Sequence, residues 1–282
     1  MAWKDNISVE FFPPNTPAGM GKMLAAAQAL RCLEPAFFSV TYGAGGSTQD
    51  RTADAVEALG ALGFPVAPHL SCIGATEDHV RDMLKRFRQN GIRSIVALRG
   101  DLPSGTMDFG DFLYGKELVE FIRQEHQDWF NIKVAAYPEI HPRALSYDQD
   151  VKHFCEKMQA GADEAITQYL YNADAYLFFV EACQKQGITA PIIPGIMPIM
   201  NADRLVQFSD ACGTDIPRWL RLKLSSMRYD SQDDLIEFGC DVVSSLCEKL
   251  IAAGAPGIHF YSMNQSMPIL GICKRLGLSV DA

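Results

Sequence analysis

Short apolar runs alternate with longer amphipathic segments along the whole chain. The short runs are rich in β-branched and aromatic residues, which is typical of buried strands. They predict eight strands, over residues 7–12, 36–42, 65–70, 93–99, 132–137, 164–169, 190–196 and 257–262. The segments between them predict helices over 18–32, 49–62, 76–90, 112–126, 147–160, 173–187, 201–212 and 265–276. An extra segment, 216–253, contains a short helical piece and a long helix over 231–253.

Eight β-α units in 282 residues predict one α/β domain over 1–282, a single (β/α)8 TIM barrel. Such barrels typically take about 250 residues. The alternative is a doubly wound open sheet, but no G-x-G-x-x-G follows any predicted strand. The glycine-rich GAGGS at 43–47 lacks that spacing. It is either a tight strand-to-helix loop or a cradle for a phosphate before a helix.

Charge and cysteine usage exclude several classes of protein. The net charge is −9 and no Lys/Arg run occurs, which argues against a nucleic-acid partner. No apolar stretch is long enough to span a membrane, and the first residues do not form a signal peptide. The eight cysteines include no C-x-x-C pair and lie mostly in apolar contexts. We therefore expect reduced, buried thiols in a cytoplasmic enzyme.

Polar side chains collect where the predicted strands end. Because a barrel of this type carries its function at the C-terminal ends of its strands, these residues should surround one mouth. They are Glu10, Thr41, Tyr42, His69, Arg99, Gly100, Asp101, Tyr137, Glu139, His141, Gln168, Asn264 and Gln265.

Two carboxylates are the candidates for chemistry. Glu10 lies among Val9, Phe11 and Phe12, where burial should raise its pKa and suit it to general-acid work at neutral pH. It could instead be a structural glutamate paired with an arginine or lysine inside the barrel. Asp101 follows a glycine and could stabilise a developing cation. It could equally pair with Arg99 or cap a turn.

The other candidates also have two interpretations. His69 either bonds a cofactor or is a core histidine. Tyr137 and His141, in YPEIHP, either donate to a ring or a phosphate or belong to a rigid proline-braced loop. Lys157 could lie on a solvated helix face, and Gln168 could be a polar barrel residue without a ligand. No third ligand accompanies Glu139 and His141, so we expect no metal.

Eight strings, in this order along the chain, resemble the 5,10-methylenetetrahydrofolate reductase family over nearly the whole length. Each string alone is weak, but the set is highly specific. They are VEFFPP (9–14), SVTYGAGGSTQDRT (39–52), APHLSCI (67–73), VALRGDLP (96–103), AAYPEIHP (135–142), KMQAGADEAITQ (157–168), IIPGIMPI (192–199) and IHFYSMNQ (258–265).

The resemblance implies a barrel that holds FAD non-covalently at its mouth. NADH or NADPH would reduce the flavin and leave. Methylenetetrahydrofolate would then bind in the same place and be reduced to 5-methyltetrahydrofolate, which supplies methyl groups for methionine synthesis. By analogy with relatives we also expect a homo-oligomer.

The resemblance also assigns roles to single residues. Glu10 matches the general acid that opens the folate ring to an iminium cation. Asp101 matches the carboxylate that favours this cation and binds the pterin, and Gln168 matches a pterin contact. The matching flavin contacts are Thr41, His69, Arg99, Gly100, Asp101, Tyr114, Gly115, Ala135, Tyr137, His141, Asp150 and Lys157.

The chain departs from the family pattern at two positions. Gln265 stands where some relatives have an arginine suited to the glutamate tail of folate. Glu156 stands where some relatives have an arginine suited to a flavin phosphate. Segment 216–228 is expected to cover the nicotinamide and the folate.

Two functions of other classes remain open on the sequence. One is a folate-dependent transferase or aldolase that uses Glu10 and Asp101 without flavin. The other is a non-catalytic subunit of a larger redox assembly.

Overall fold

Eight parallel strands form a closed barrel in chain order in the computed structural model, which describes residues 3–42, 49–101, 109–228 and 231–280. The strands are β1 (Ile7–Phe11), β2 (Phe37–Val40), β3 (Val66–Ser71), β4 (Ser94–Leu98), β5 (Asn131–Ala136), β6 (Glu164–Tyr169), β7 (Ile192–Ile196) and β8 (Ile258–Tyr261). Strand β1 pairs with β2 on one side and with β8 on the other, so no strand edge is left open. The predicted barrel is confirmed and the open-sheet alternative is wrong.

The helices surround this sheet and match most of the predicted segments. They are α1 (Pro17–Ala29), α2 (Gln49–Ala61), α3 (Glu77–Gln89), α4 (Gly115–His126), α5 (Tyr147–Gln159), α6 (Ala173–Lys185), α7 (Ala202–Cys212), α8 (Arg218–Ser226), α9 (Gln232–Ala252) and α10 (Met267–Arg275). Side-chain oxygens of short polar residues accept from backbone N–H groups where several of them begin, as Thr16 does for α1 and Ser146 for α5. None of the helices in the described ranges combines the length and apolar character that crossing a membrane requires.

The seventh helix of the ring differs from the prediction. The sequence pattern predicted that the helix over residues 201–212 occupies this position. In the structure, α9 is the helix that packs between α6 and α10. Helix α9 buries a long stripe that includes Leu235, Val243 and Leu250, whereas α7 buries little beyond Leu205. Helices α7 and α8, which we call the mouth helices, pack on each other in the connection between β7 and α9.

The interior of the barrel is filled at its lower end, where the strands begin. Lys133 of β5 and Glu164 of β6 form a buried ion pair there, and the Lys133 ammonium lies 4.5 Å from the centre of the Phe37 ring. A small apolar cluster fills the interior around this pair, made of Phe37, Ala67, Val96 and Ile166 with Leu98 against it. A ligand that enters the barrel is therefore expected at the opposite end.

Hydrogen bonds from the segment between α7 and α8 hold the mouth helices to the barrel. The Thr214 hydroxyl donates to the carbonyl of Tyr169 (3.1 Å), and the Asp215 N–H donates to Glu139 Oε2 (3.0 Å). The other carboxylate oxygen of Glu139 is buried without a hydrogen-bond partner. Burial consequently raises the pKa of Glu139 to about 7, although the bond from Asp215 opposes the shift.

The close approach of β6, β7 and β8 depends on a glycine, and its replacement is a test of the barrel. A Cβ added to Gly195 would lie 2.2 Å from the Thr167 carbonyl oxygen and 2.6 Å from Tyr261 Cε2. We expect Gly195→Ala to lower the free energy of unfolding by about 1–3 kcal/mol in urea denaturation. In contrast, Gly60→Ala, in the open interior of α2, should be neutral or stabilising by up to about 1 kcal/mol. Equal stability of both variants would contradict the packing described.

A second prediction concerns pH. The folded-state pKa of Glu139 lies above its ordinary value of 4.5, so its contribution to stability is fully present below pH 4.5 and is lost as pH rises through about 7. We expect Glu139→Gln to remove this loss, so that the variant gains stability relative to the wild type between pH 5 and pH 8. Urea denaturation across this range measures it. Glu57→Gln, an exposed change on α2, is the matched control and should parallel the wild type.

Candidate active site

A cavity of about 270 Å³ opens at the C-terminal ends of the strands. This volume is close to the lower end of the roughly 300–1,000 Å³ of typical small-molecule sites. Five of the predicted site residues line it, namely Glu10, His69, Ala135, Tyr137 and Gln168. The prediction that residues far apart in sequence meet at one mouth is correct for these five.

Glu10 lies inside the barrel against two imidazole rings. Its Oε2 atom is 3.2 Å from His69 Nε2 and 3.9 Å from His259 Nε2, and 17% of its side chain is exposed. Neither of these two Nε2 atoms has a hydrogen bond of good geometry, so their contacts with Glu10 are mainly electrostatic. On its other side the His259 ring is fixed, because Nδ1 is 2.8 Å from Ser8 Oγ. Four polar side chains thus form a line inside the barrel, in the order His69, Glu10, His259 and Ser8.

The predicted rise in the pKa of Glu10 is wrong. Burial alone would raise this pKa, but His259 and His69 outweigh burial and hold it at about 2. Glu10 is therefore an anion at neutral pH, and its partners are histidines rather than an arginine or lysine. Burial lowers the pKa of His259, which keeps its ring neutral at pH 7.

Gln168 and Tyr261 form the wall on the β6 and β8 side of the cavity. Gln168 Oε1 accepts from the Tyr169 N–H (3.0 Å), which leaves the amide nitrogen as the group available to a ligand. The Tyr261 hydroxyl donates to the Thr167 carbonyl (2.8 Å), and its ring meets His259 edge-on at 5.2 Å. These bonds fix the wall in place.

The predicted flavin contacts on β5 and α5 form one connected group, which we call the rim cluster: Ala135, Tyr137, His141, Asp150 and Lys157. The Lys157 ammonium donates to the Ala135 carbonyl (2.6 Å), and burial lowers the pKa of Lys157 to about 8. The Tyr137 and His141 rings meet edge-to-face at 4.4 Å. The His141 N–H donates to Asp150 Oδ2 (2.7 Å), which fixes the loop after β5 on the first turn of α5.

The start of α4 lies beside the rim cluster. The Arg99 Nε–H donates to the Leu113 carbonyl (2.8 Å), and Tyr114 caps the helix with its ring exposed. A Cβ added to Gly115 would lie 3.5 Å from the backbone nitrogen of Arg99 and 3.7 Å from Lys157 Cδ. The sequence prediction that groups these residues is therefore consistent with their positions.

Asp101 lies on the rim and does not line the cavity. Gly100 turns the chain there with φ +79, and a Cβ at that position would lie 1.8 Å from Ser71 Oγ, so glycine alone fits. The Asp101 side chain is 76% exposed and pairs with Arg143 of the loop after β5 (3.1 Å). The partner is thus Arg143, not the Arg99 considered from the sequence.

Thr41 also lies beside the cavity without lining it. Its N–H donates to the Phe11 carbonyl (2.9 Å), and its own carbonyl accepts from the Thr52 hydroxyl (2.9 Å). The GAGGS segment at 43–47, considered as a phosphate cradle, lies outside the described residues.

Several residues at the mouth were not predicted from the sequence. Ser8 and His259 complete the surroundings of Glu10, while Phe208 of α7 lines the cavity in place of the expected segment 216–228. The alternation of inward and outward positions could have identified two of them. Ser8 shares a face with Glu10 two residues later, and His259 shares one with Tyr261.

Comparison with known proteins gives a consistent result. A family model described as methylenetetrahydrofolate reductase matches residues 2–277. The chain is 37% identical over 274 residues to a 5,10-methylenetetrahydrofolate reductase of Salmonella typhimurium, covering 97% of this chain and 91% of that protein. It is 35% identical to a probable methylenetetrahydrofolate reductase (NADH) of Oryza sativa, covering 96% of this chain and 48% of the rice protein.

A solved structure also shares the fold. It is an uncharacterised protein from Clostridium thermocellum, described as binding two copies of 5-methyl-5,6,7,8-tetrahydrofolic acid. The TM-score is 0.64 at 18% identity, and the match covers 96% of this chain and 93% of that one. The fold agrees, and the near-complete sequence matches settle the family. The chain belongs to the methylenetetrahydrofolate reductase family and is an oxidoreductase.

Proposed function

We propose that this protein reduces 5,10-methylenetetrahydrofolate to 5-methyltetrahydrofolate by a ping-pong mechanism that uses FAD and NADH or NADPH. The observation that carries the proposal is the convergence of Glu10, Gln168 and Tyr137 on one cavity, with the rim cluster beside it. Bound FAD would supply the redox chemistry, which is hydride transfer from the nicotinamide to the substrate. The names of the plant relatives favour NADH as the donor.

The residues present fit a flavin. Val96, Leu98, Ala135 and Ile166 give the cavity an apolar wall suited to a flat ring. Lys157 is a partly buried cation whose described acceptor is a carbonyl rather than a carboxylate, so it suits an anionic group such as a phosphate. Together they would hold the ring in the cavity and the polar part of the cofactor along the rim.

Glu10 is the proposed acid for opening the folate ring. A proton from its carboxyl to N10 lets that nitrogen keep the electron pair of the breaking C–N10 bond. The one-carbon unit remains on N5 as an iminium cation, which is the form that accepts hydride. General acid catalysis of this kind contributes about 10²–10⁴-fold to a rate.

The low pKa of Glu10 means that its proton must come from a neighbour. A ring system in the cavity would remove the remaining solvent from the carboxylate and raise the cost of its charge. His69 Nε2 lies 3.2 Å from Oε2, so the imidazolium form of His69 is placed to pass its Nε2 proton to the carboxylate and become the neutral ring. When Ser8 donates to Nδ1 of His259, the single proton of that neutral ring lies on Nε2, 3.9 Å from Glu10 Oε2, where it stabilises the carboxylate and is not transferred.

Asp101 is the proposed electrostatic partner of the iminium cation. Both side chains of its ion pair with Arg143 are exposed, and exposed ion pairs contribute only about 0–1 kcal/mol to the free energy of unfolding. The carboxylate can therefore exchange Arg143 for the iminium cation at little cost. Its place on the rim puts it at the entrance rather than beneath the ring.

A folate-dependent transferase without flavin is the alternative that is most easily distinguished from the proposed reductase. The absorption spectrum of the purified protein decides between these two functions, because oxidised flavin absorbs in the visible region. Yellow protein, or colourless protein that becomes yellow with added FAD, supports the reductase. Protein that takes up no FAD favours the transferase.

The role of Glu10 is tested by separating the two half-reactions in anaerobic stopped-flow experiments. We expect Glu10→Gln to be reduced by NADH or NADPH as the wild type is, because that step needs no proton from residue 10. Reoxidation by methylenetetrahydrofolate should slow about 10²–10⁴-fold. Equal slowing of both half-reactions would contradict the assignment. Glu57→Gln, on the outside of the barrel, is the control for loss of one negative charge.

A further inference from the structure

One face of α7 carries three residues spaced four apart: Arg204, Phe208 and Cys212. Residues at this spacing lie on one face of a helix, one turn above another. Phe208 and Cys212 line the mouth cavity, and 49% of Phe208 is exposed. Arg204 therefore lies one turn beyond Phe208, on the side of the helix that borders the cavity.

The charges around α7 leave Arg204 without a counterion. Asp203 pairs with Arg228 (3.3 Å), and Asp210 pairs with Arg221 (3.1 Å). The Arg204 guanidinium is exposed and forms no ion pair with any residue of the described ranges. In a chain with a net charge of −9, an uncompensated cation beside the cavity favours an anionic ligand group.

The proposed substrate brings such a group, so the next step rests on the proposed function. Folate continues from its pterin through an aromatic ring to a glutamate tail with carboxylates. The loop after β8, residues 262–266, contains no lysine or arginine, and its position 265 is glutamine. This loop therefore offers the tail no cation, and a cation that pairs with the tail has to come from another element of the mouth.

We infer that Arg204 binds the carboxylates of the folate glutamate tail. Phe208 contacts the aromatic ring of the substrate, and the helical spacing places the guanidinium one turn further along, where the tail leaves the cavity. A guanidinium can bind a carboxylate through two parallel N–H bonds, which gives both strength and orientation. Arg204 is then a specificity-determining residue that distinguishes folates from pterins without an anionic tail.

Calorimetric titration of the full chain with two ligands tests this inference. The ligands are 5-methyltetrahydrofolate and its analogue in which both glutamate carboxylates are amides. We expect Arg204→Gln to bind 5-methyltetrahydrofolate about tenfold more weakly than the wild type, and to bind the diamide equally well. Arg86→Gln removes the same charge from the last turn of α3, at the opposite end of the barrel, and should bind both ligands as the wild type does.

The outcomes separate the inference from the proposed function. If the wild type binds neither ligand, the folate site itself is wrong and the inference is overturned with it. If Arg204→Gln keeps the wild-type preference for the carboxylate form, the folate site stands and Arg204 is not its tail contact. An equal loss in Arg86→Gln would show that overall charge, not position 204, controls affinity.

Discussion

The negative charge of Glu10 lies inside the upper part of the barrel, and two imidazole rings from strands on either side of β1 face it. A carboxylate in this place would be costly alone, because burial disfavours its charged form. His69 of β3 and His259 of β8 offset that cost, and Ser8 fixes the second ring. The arrangement requires β1, β3 and β8 to keep their places in a closed sheet, so the chemistry at the mouth depends directly on barrel closure.

The rest of the interior supports this placement. The lower end is filled by the Lys133–Glu164 pair and its apolar neighbours, and the mouth cavity lies above them. The mouth helices then extend the cavity wall beyond the strands, with Phe208 at its edge. An apolar wall, the Glu10 carboxylate between two histidines, and the exposed Arg204 of α7 give three environments around one opening. These match a substrate that has a flat ring, a protonation site and an anionic tail.

The sequence predicted the strands well because each is a short apolar run bounded by helical segments. It also predicted α7 as a helix, but it gave α7 the place in the ring that α9 occupies. Local amphipathicity does not show that α9 has the longer buried stripe of the two. The sequence also placed Asp101 with the cavity residues, although Gly100 turns that side chain to the rim. Position at a strand end is therefore not sufficient to place a residue in the cavity.

The error on the pKa of Glu10 has a similar origin. Its apolar neighbours in sequence indicated burial alone, and burial raises the pKa of a carboxyl group. The histidines that reverse the shift come from β3 and β8, far along the chain, and only the folded barrel brings them to Glu10. By contrast, the residues of the rim cluster, which the family resemblance grouped as flavin contacts, do lie together, and their contact with flavin stays a prediction.

A crystal structure of the protein saturated with FAD tests the central claim most directly. We expect the isoalloxazine ring to lie in the mouth cavity, in contact with Ala135 and Tyr137, with the phosphates near Lys157. Flavin bound elsewhere on the protein, or a cavity at Glu10 that excludes the ring, would contradict it.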